Sequence, residues 1–199
     1  MIRFACLLLG FVLLSSAVAE EDTVRITMTT SMGDIGIDLY AEKAPLTVQN
    51  FLRLVDSGHL DGGEFYRVVS YANDKGLPQI EVIQGGRGDA ERPFPPIDHE
   101  TTELSGILHK DGVISMARGD VGTATSEFFI CIGDQPGLDY GQPRMPDEQG
   151  FAAFGAVVIG MDVVRRINAS PANAPTEIAY FQGQILNEPV EIIRVRRAD

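Results

Sequence analysis

The sequence has little cysteine and few basic residues, and each scarcity excludes a class of protein. Its 199 residues include two Cys and no Trp, and 16 Lys+Arg stand against 28 Asp+Glu, which gives a formal net charge of -12. A surface of that sign repels phosphate backbones and anionic lipids, so nucleic-acid and membrane-surface binding are not expected. Hydrophobic residues make up 44% of the chain, without an obvious low-complexity tract. This composition is typical of a globular domain.

The beginning of the chain has the pattern of an export signal. Arg3 is followed by an apolar stretch at 4–14 and by the small residues Ala17-Val18-Ala19. This order is typical of a secretory leader and its cleavage site, whereas a membrane-spanning helix needs about 20 apolar residues. We therefore expect a signal peptide at 1–19, one domain at 20–199 and no membrane attachment after cleavage.

The cysteines exclude a disulfide framework in the mature chain. Cleavage would remove Cys6 and leave Cys131 as the single thiol. Because Cys131 lies inside the apolar run 128–132, we expect a small buried side chain rather than a reactive thiol. The domain must then be stable without covalent cross-links.

Short apolar runs alternate with Gly, Pro, Asn and Asp along the rest of the chain, which predicts strands. The candidates are 24–28, 35–39, 65–70, 80–84, 113–118, 127–132, 152–158 and 190–196. Two other segments, 45–58 and 161–168, carry apolar residues at helical spacing, and Pro45 and Gly58 mark the start and stop of the first. Many short strands with only two helices exclude a doubly wound sheet. They predict a mainly β fold, a closed barrel whose ends the helices cover.

The side chains of common metal and cofactor sites are not clustered in this sequence. His59, His99 and His109 stand apart, without the paired spacing of metal ligands, so no metal site is expected. The glycine-rich segment 85–88 lacks the Lys-Ser/Thr ending of a phosphate-binding loop and is interpreted as a backbone bend. No cofactor is expected either.

Two kinds of short motif favour other functions only weakly. The tripeptides Arg87-Gly88-Asp89 and Arg118-Gly119-Asp120 suggest cell adhesion, but each follows a strand candidate and is explained as a turn. Asn168-Ala169-Ser170 is a formal glycosylation acceptor, although Pro171 follows it directly. Neither motif decides the function.

Four linked motifs carry a more specific signal. They are Phe-Tyr-Arg-Val-Val at 65–69, Val-Ile-Gln-Gly-Gly at 82–86, Ile-Ser-Met-Ala at 114–117 and Thr-Ser-Glu-Phe-Phe-Ile at 125–130. In this order and at these separations they resemble the cyclophilin family of peptidyl-prolyl cis-trans isomerases. The resemblance covers about 23–196 and implies a closed eight-stranded antiparallel barrel capped by two α-helices. It also implies an enzyme that accelerates rotation about X-Pro bonds without a metal or cofactor.

The resemblance places the catalytic groups at Arg67 and Gln84. Resonance makes X-Pro rotation slow, and in the twisted transition state the amide nitrogen regains a lone pair that a fixed guanidinium can stabilise. Gln84 matches the family's glutamine, which holds the substrate backbone and helps to orient the arginine. The substrate-binding residues implied are Phe65, Val82, Ala117, Arg118, Glu127, Phe129, Leu138 and Phe151, of which Val82, Phe129, Leu138 and Phe151 align with the apolar proline pocket.

The sequence departs from the family pattern at several positions. Tyr66 replaces the common histidine, Arg118 stands where asparagine is usual, and Glu127 stands where glutamine is usual. Glu127 could pair with Arg67 and either orient it or occupy it. Gly137 aligns with the tryptophan that binds cyclosporin in many members, so weak cyclosporin binding is expected.

The predicted function is peptidyl-prolyl isomerisation during the folding of exported proteins, with proline-containing polypeptides as partners. The alternative is a cyclophilin-like peptide-binding or chaperone module with weak or no activity, for which Glu127, Gly137 and Phe151 would argue. Two longer stretches, 71–78 and 136–150, are expected to be loops that alter substrate choice. The leader favours the bacterial periplasm, or secretion. No apolar surface stripe indicates a dimer, so a monomer is expected.

Overall fold

The computed structural model describes residues 23–88 and 93–198. The predicted signal peptide, Cys6 and Asp89 lie outside the described residues. The strands are β1 (Thr23–Thr30), β2 (Gly33–Tyr40), β3 (Gly63–Val69), β4 (Val82–Gly86), β5 (Val113–Met116), β6 (Phe128–Cys131), β7 (Ala152–Ile159) and β8 (Ile185–Arg197). The α-helices are α1 (Pro45–Asp56), α2 (Thr102–Ser105) and α3 (Met161–Asn168), and short 3-10 helices occur at Pro136–Leu138 and Ala179–Phe181.

The strands close into an antiparallel barrel in the order β1-β2-β7-β5-β6-β4-β3-β8. Successive side chains of a strand face opposite sides of the sheet, and the inward ones form the main core. Helix α1 adds Phe51 to this core, where its ring centroid lies 5.5 Å from that of Phe128 and 5.0 Å from that of Phe154. Helix α3 buries its aliphatic face. The predicted barrel with two covering helices is confirmed.

The largest differences from the prediction are at strands β4 and β8 and at one short helix. Strand β4 continues through Gly86, so Gly85 and Gly86 belong to the sheet and are not the expected bend. A Cβ atom at Gly85 would lie 2.7 Å from the carbonyl oxygen of Glu64, so glycine permits this close strand approach. Strand β8 begins at Ile185, five residues before the predicted start. The prediction missed these residues because Pro189 and the polar residues before it interrupt the alternation. Helix α2 is too short to show periodicity.

The structure also resolves several motifs that the sequence left open. Cys131 is fully buried, as expected, and burial raises the pKa of its thiol. The side-chain amide of Asn168 donates to the carbonyl oxygens of Val69 and Val82, so the acceptor nitrogen of the glycosylation motif joins α3 to the barrel. The side chain of Arg118 is 1% exposed, so the second adhesion-type tripeptide is not presented to a receptor. Within the described ranges, no helix is long and apolar enough to cross a membrane.

Candidate active site

Outward-facing side chains of β3, β4 and β6 line a cavity of about 450 Å³. Beside it lies a small apolar cluster, separate from the barrel core, made of Val69, Ile80, Val82, Phe129, Cys131 and Leu138. Most of the predicted site residues line the cavity, namely Arg67, Val82, Gln84, Ala117, Arg118, Phe129, Leu138 and Phe151. The alternation of side chains along the strands thus separates the packed interior from the face that carries the site.

Phe129 is the central residue of the apolar part of the cavity. Its ring meets that of Phe151 edge to face, with centroids 5.3 Å apart, and stacks on His109 at 6.0 Å. His109 contacts Asp139 through Nδ1 at 2.7 Å and Ser115 through Nε2 at 3.0 Å. Although these three residues resemble a hydrolase triad, Ser115 is 0% exposed and cannot meet a substrate. The arrangement therefore supports Phe129.

Arg67 is held in a fixed orientation beside this apolar surface. Its Nη1 donates to Oε1 of Gln84 at 2.7 Å, while Nε and Nη2 donate to Oε1 of Gln184 at 2.9 and 2.6 Å. The guanidinium also stacks on Phe181, 4.3 Å from the ring centroid. Burial lowers the pKa of Arg67, but an arginine remains charged at neutral pH. The site therefore holds a permanently charged, oriented donor, as the resemblance implies.

A chain of polar side chains continues from Arg67 to Glu127. The Nε2 of Gln84 donates to the hydroxyl of Tyr66 at 2.9 Å, and that hydroxyl donates to Oε2 of Glu127 at 2.7 Å. Glu127 is 7% exposed and lies behind the cavity lining. The possible pairing of Glu127 with Arg67 does not form, because the guanidinium donates to Gln84 and Gln184. Tyr66 and Glu127, both departures from the family pattern, together orient Gln84.

Phe65 does not belong to the cavity, which corrects the sequence assignment. It is 0% exposed and packs in the barrel core, with its ring centroid 5.7 Å from that of Phe128. Strict alternation would put Phe65 and Arg67 on the same face of β3. However, the strand pairing shifts between these two residues, both toward β4 and toward β8. This irregularity turns Arg67 outward while Phe65 stays inside.

Arg118 lines the cavity but has no hydrogen to offer a substrate. Its Nε and Nη2 donate to the carbonyl oxygen of Gly150, Nη1 and Nη2 to the carboxylate of Asp147, and Nη1 to the carbonyl oxygen of Gly119. These bonds use all five N–H groups of a guanidinium. The hydrogen bonds from Arg118 lower the pKa of Asp147 to about 2. Arg118 therefore acts as a wall, 5.2 Å from the centroid of Phe151, rather than as a substrate donor.

The two long stretches, 71–78 and 136–150, meet beside the cavity. Arg144 donates through Nη1 and Nη2 to the carboxylate of Asp74 at 2.7 and 2.9 Å. Their side chains are 7% and 0% exposed. Although burial opposes ionisation, the hydrogen bonds from Arg144 hold the pKa of Asp74 below its usual value. A buried ion pair thus joins the two long stretches.

Gly137 packs against Pro78 of the stretch 71–78. A Cβ atom built at Gly137 would overlap the ring of Pro78. The space that a larger side chain would need at this position is therefore filled by Pro78. This contact gives a physical reason for glycine where the resemblance leads one to expect tryptophan.

Several cavity residues were not predicted from the sequence. They are Gly76, Ile80, Arg144, Met145, Tyr180 and Phe181, and Gln184 stands behind them as the partner of Arg67. The adjacent aromatic residues Tyr180 and Phe181 were the one available signal. The others depend on contacts between segments far apart in the chain.

Comparison with known proteins gives matches along almost the whole described chain. The family described as cyclophilin type peptidyl-prolyl cis-trans isomerase/CLD matches residues 25–196. A peptidyl-prolyl cis-trans isomerase of Acinetobacter baylyi is 32% identical over 201 residues, covering 98% of this chain and 96% of the relative. Peptidyl-prolyl cis-trans isomerase A of Dickeya dadantii is 37% identical over 158 residues, covering 77% of this chain and 76% of the relative.

Solved structures give the same fold. A cyclophilin type peptidyl-prolyl cis-trans isomerase of Cryptosporidium parvum superposes with a TM-score of 0.66 at 20% identity, covering 89% of this chain and 98% of the other. A second structure from that organism, in the presence of the dipeptide Ala-Pro, has a TM-score of 0.65, also at 20% identity, and covers 88% of this chain and 99% of the other.

Proposed function

The chain belongs to the cyclophilin-type peptidyl-prolyl cis-trans isomerase family, and from that premise we propose that Arg67 is the group that catalyses X-Pro rotation in the cavity. The observation that carries the assignment is the guanidinium itself, fixed by two glutamine oxygens in the lining of an apolar cavity. The site needs no nucleophile, because no bond is broken in the reaction. It needs a donor aimed at the amide nitrogen.

The hydrogen bonds of Arg67 leave suitable donors for this task. One hydrogen on Nε and one on each terminal nitrogen are taken by Gln84 and Gln184. Each terminal nitrogen therefore keeps one N–H group. Because Arg67 lines the cavity, we place the amide nitrogen of the bound X-Pro bond against one of these groups. The planar amide offers no lone pair there, whereas the twisted state does, so the contact favours the transition state.

The energy required is within reach of such a site. The uncatalysed barrier is about 18–20 kcal/mol, and lowering it by about 7 kcal/mol would accelerate rotation roughly 10⁵-fold. A charged donor that is already oriented and partly desolvated pays little reorganisation cost during the reaction. The apolar surface of Phe129 and Leu138 adds binding by removing the proline ring from water.

The substrate class that fits is a proline-containing polypeptide. The apolar side of the cavity, around Phe129 and Phe151, suits a pyrrolidine ring. The Cryptosporidium parvum structure in the presence of Ala-Pro supports the same chemistry for this chain. We further propose that the clients are exported proteins in the periplasm or outside the cell, as the leader suggests, and that the enzyme is monomeric. Weak cyclosporin binding is proposed because Pro78 fills the space over Gly137.

The decisive experiment compares the protein comprising residues 20–199 with its Arg67→Ala variant. Cis/trans exchange of a short Xaa-Pro peptide is measured by NMR, which needs no coupling protease. We expect fast exchange in the parent and a loss of about 10²–10³-fold in the variant. Arg194→Ala is the matched control, since Arg194 is an exposed arginine on β8 and should leave the rate unchanged. Parent-like exchange by a folded Arg67→Ala protein would refute the assignment.

A further inference from the structure

Arg67 donates two hydrogen bonds to Gln184 and one to Gln84, although Gln184 lies outside every motif found in the sequence. Gln184 accepts from both Nε and Nη2 through Oε1, at 2.9 and 2.6 Å. Gln84 accepts from Nη1 alone, at 2.7 Å. Two donors that converge on one oxygen fix the plane of the guanidinium, whereas a single bond to Nη1 leaves it free to pivot. Gln184 therefore provides the stronger geometric constraint.

Gln184 is itself immobilised, which fixes the direction of its amide. The residue is 0% exposed. Its Nε2 donates to the backbone carbonyl of Asn73 at 2.9 Å, and its own carbonyl oxygen accepts from the backbone N–H of Val68 at 2.8 Å. A flipped amide would set its NH₂ group against the guanidinium and its oxygen against the Asn73 carbonyl. Both contacts would be repulsive, so Oε1 must face Arg67.

The support for Gln184 comes from the first insertion. The side-chain amide of Asn73 donates to the carbonyl oxygen of Gly183 at 2.9 Å, and its Oδ1 accepts from the N–H of Ser70 at 2.8 Å. Asn73 thus ties the stretch 71–78 to the backbone next to Gln184. In this hydrogen-bonded path, Gln184 is the residue that connects Asn73 to Arg67.

We propose that Gln184 is a positioning residue for isomerisation, and that the stretch 71–78 supports it through Asn73. The inference rests on the proposed function, since it requires Arg67 to be the donor. Without Gln184 the guanidinium keeps only the bond to Gln84 and can swing on the face of Phe181. Small displacements of a catalytic group carry large rate penalties. The residues that hold the proline ring are untouched, so substrate affinity should persist.

The test replaces Gln184 by Met, which keeps the length of the side chain and removes the acceptor. Gln184→Glu retains an oxygen toward Arg67 but adds a negative charge, so it separates the orientation of the guanidinium from its charge. Gln182→Met is the matched control, since Gln182 is exposed and only two residues away in sequence. Peptide exchange by NMR gives kcat and KM for each protein. The Nε–H resonance of Arg67, identified by its loss in Arg67→Lys, reports the contact directly.

We expect Gln184→Met to lower kcat about 10- to 100-fold, with KM changed less than about threefold. Its Arg67 Nε–H group should exchange with water much faster than in the parent. Gln184→Glu should restore the protection of the Nε–H group but only part of kcat, because its carboxylate neutralises the guanidinium. Gln182→Met should change neither readout. A residue that only packs would alter thermal stability and leave the resonance and the kcat of the folded protein intact.

Different results would overturn the positioning role of Gln184 and the donor role of Arg67. A folded Gln184→Met protein with parental kcat and a protected Nε–H group overturns the positioning role, while the collapse of exchange in Arg67→Ala still upholds the donor. Parent-like exchange in Arg67→Ala overturns the donor itself. If Gln184→Met does not fold, Gln184→Asn withdraws the oxygen by one methylene and is judged by the same readouts.

Discussion

Replacing Asp74 by Ala tests whether a buried ion pair shapes the wall of the cavity. The carboxylate accepts from Nη1 and Nη2 of Arg144 and from the backbone N–H groups of Gly76 and Ile80, at 2.7–3.0 Å. The carboxylate is 0% exposed and Arg144 is 7% exposed. Removal leaves a buried guanidinium with only the carbonyl oxygen of Pro78 and the hydroxyl of Tyr180 as partners.

The expected loss is large relative to the stability of a domain. Removing one partner of a buried pair costs about 3–5 kcal/mol, out of a total of about 5–15 kcal/mol. For a chain of this size, 1 kcal/mol corresponds to about 2–4 °C, so the midpoint of thermal unfolding should fall by about 6–20 °C. Because Arg144 and Ile80 line the cavity, KM should rise. The value of kcat should change less, since the hydrogen bonds by which Asn73 supports Gln184 do not involve the Asp74 carboxylate.

Thermal unfolding and peptide exchange by NMR measure both effects. Asp162→Ala is the control, because its pair with Arg166 is exposed, at 75% for the aspartate and 51% for the arginine, and should contribute little. A double-mutant cycle with Arg144→Met isolates the pair, and the combined variant should lose less than the sum of the single losses. The ion pair is not a main stabilising contact if Asp74→Ala costs no more than Asp162→Ala, or if the two single effects simply add.

Two further predictions concern the second insertion. The pKa of Asp147 is lowered to about 2 by Arg118, so the pair stabilises the fold above about pH 4 and this stabilisation is lost as the pH falls toward 2. Urea unfolding should show Asp147→Asn less stable than the parent by about 1 kcal/mol at pH 6, allowing for partial exposure, and the difference should be much smaller at pH 2. A difference at pH 2 as large as that at pH 6 would contradict this. Gly137→Ala should cost about 1–3 kcal/mol in thermal unfolding, because its Cβ overlaps Pro78. Gly119→Ala, where a Cβ meets only Thr123 at 3.6 Å, should cost less, and an equal loss would remove the steric explanation.

The sequence predicts what depends on local pattern. The two-residue alternation located all the strands of the barrel, and linked motifs identified the outward residues around Phe129. The resemblance placed Phe65 in the site with Arg67, but the strand irregularity between the two residues leaves Phe65 in the barrel core. Glu127, which the sequence allowed to pair with Arg67, instead accepts from the Tyr66 hydroxyl and from the backbone N–H of Gly88. Such errors arise where backbone geometry departs from the ideal strand.

Contacts between distant segments leave no such pattern. Arg144 and Asp74 are 70 residues apart, and Gln184 is 117 residues from Arg67. Neither Arg144 nor Gln184 stands in a periodic segment, so nothing in the sequence distinguishes it from an ordinary surface side chain. Only the folded chain shows that both are buried beside the cavity.

The three arginines in the cavity lining differ in what neutralises them, and this difference bears on the reaction. Arg118 is paired with Asp147 and Arg144 with Asp74, both through two nitrogens. Arg67 instead donates to the neutral side chains of two glutamines. A carboxylate in place of either glutamine would satisfy the charge of the guanidinium and weaken its attraction for the lone pair of the twisted amide. Neutral partners orient Arg67 and leave its positive charge available to the substrate. Because Glu127 accepts from Tyr66 and does not pair with Arg67, the site favours an active enzyme over a module that only binds peptides.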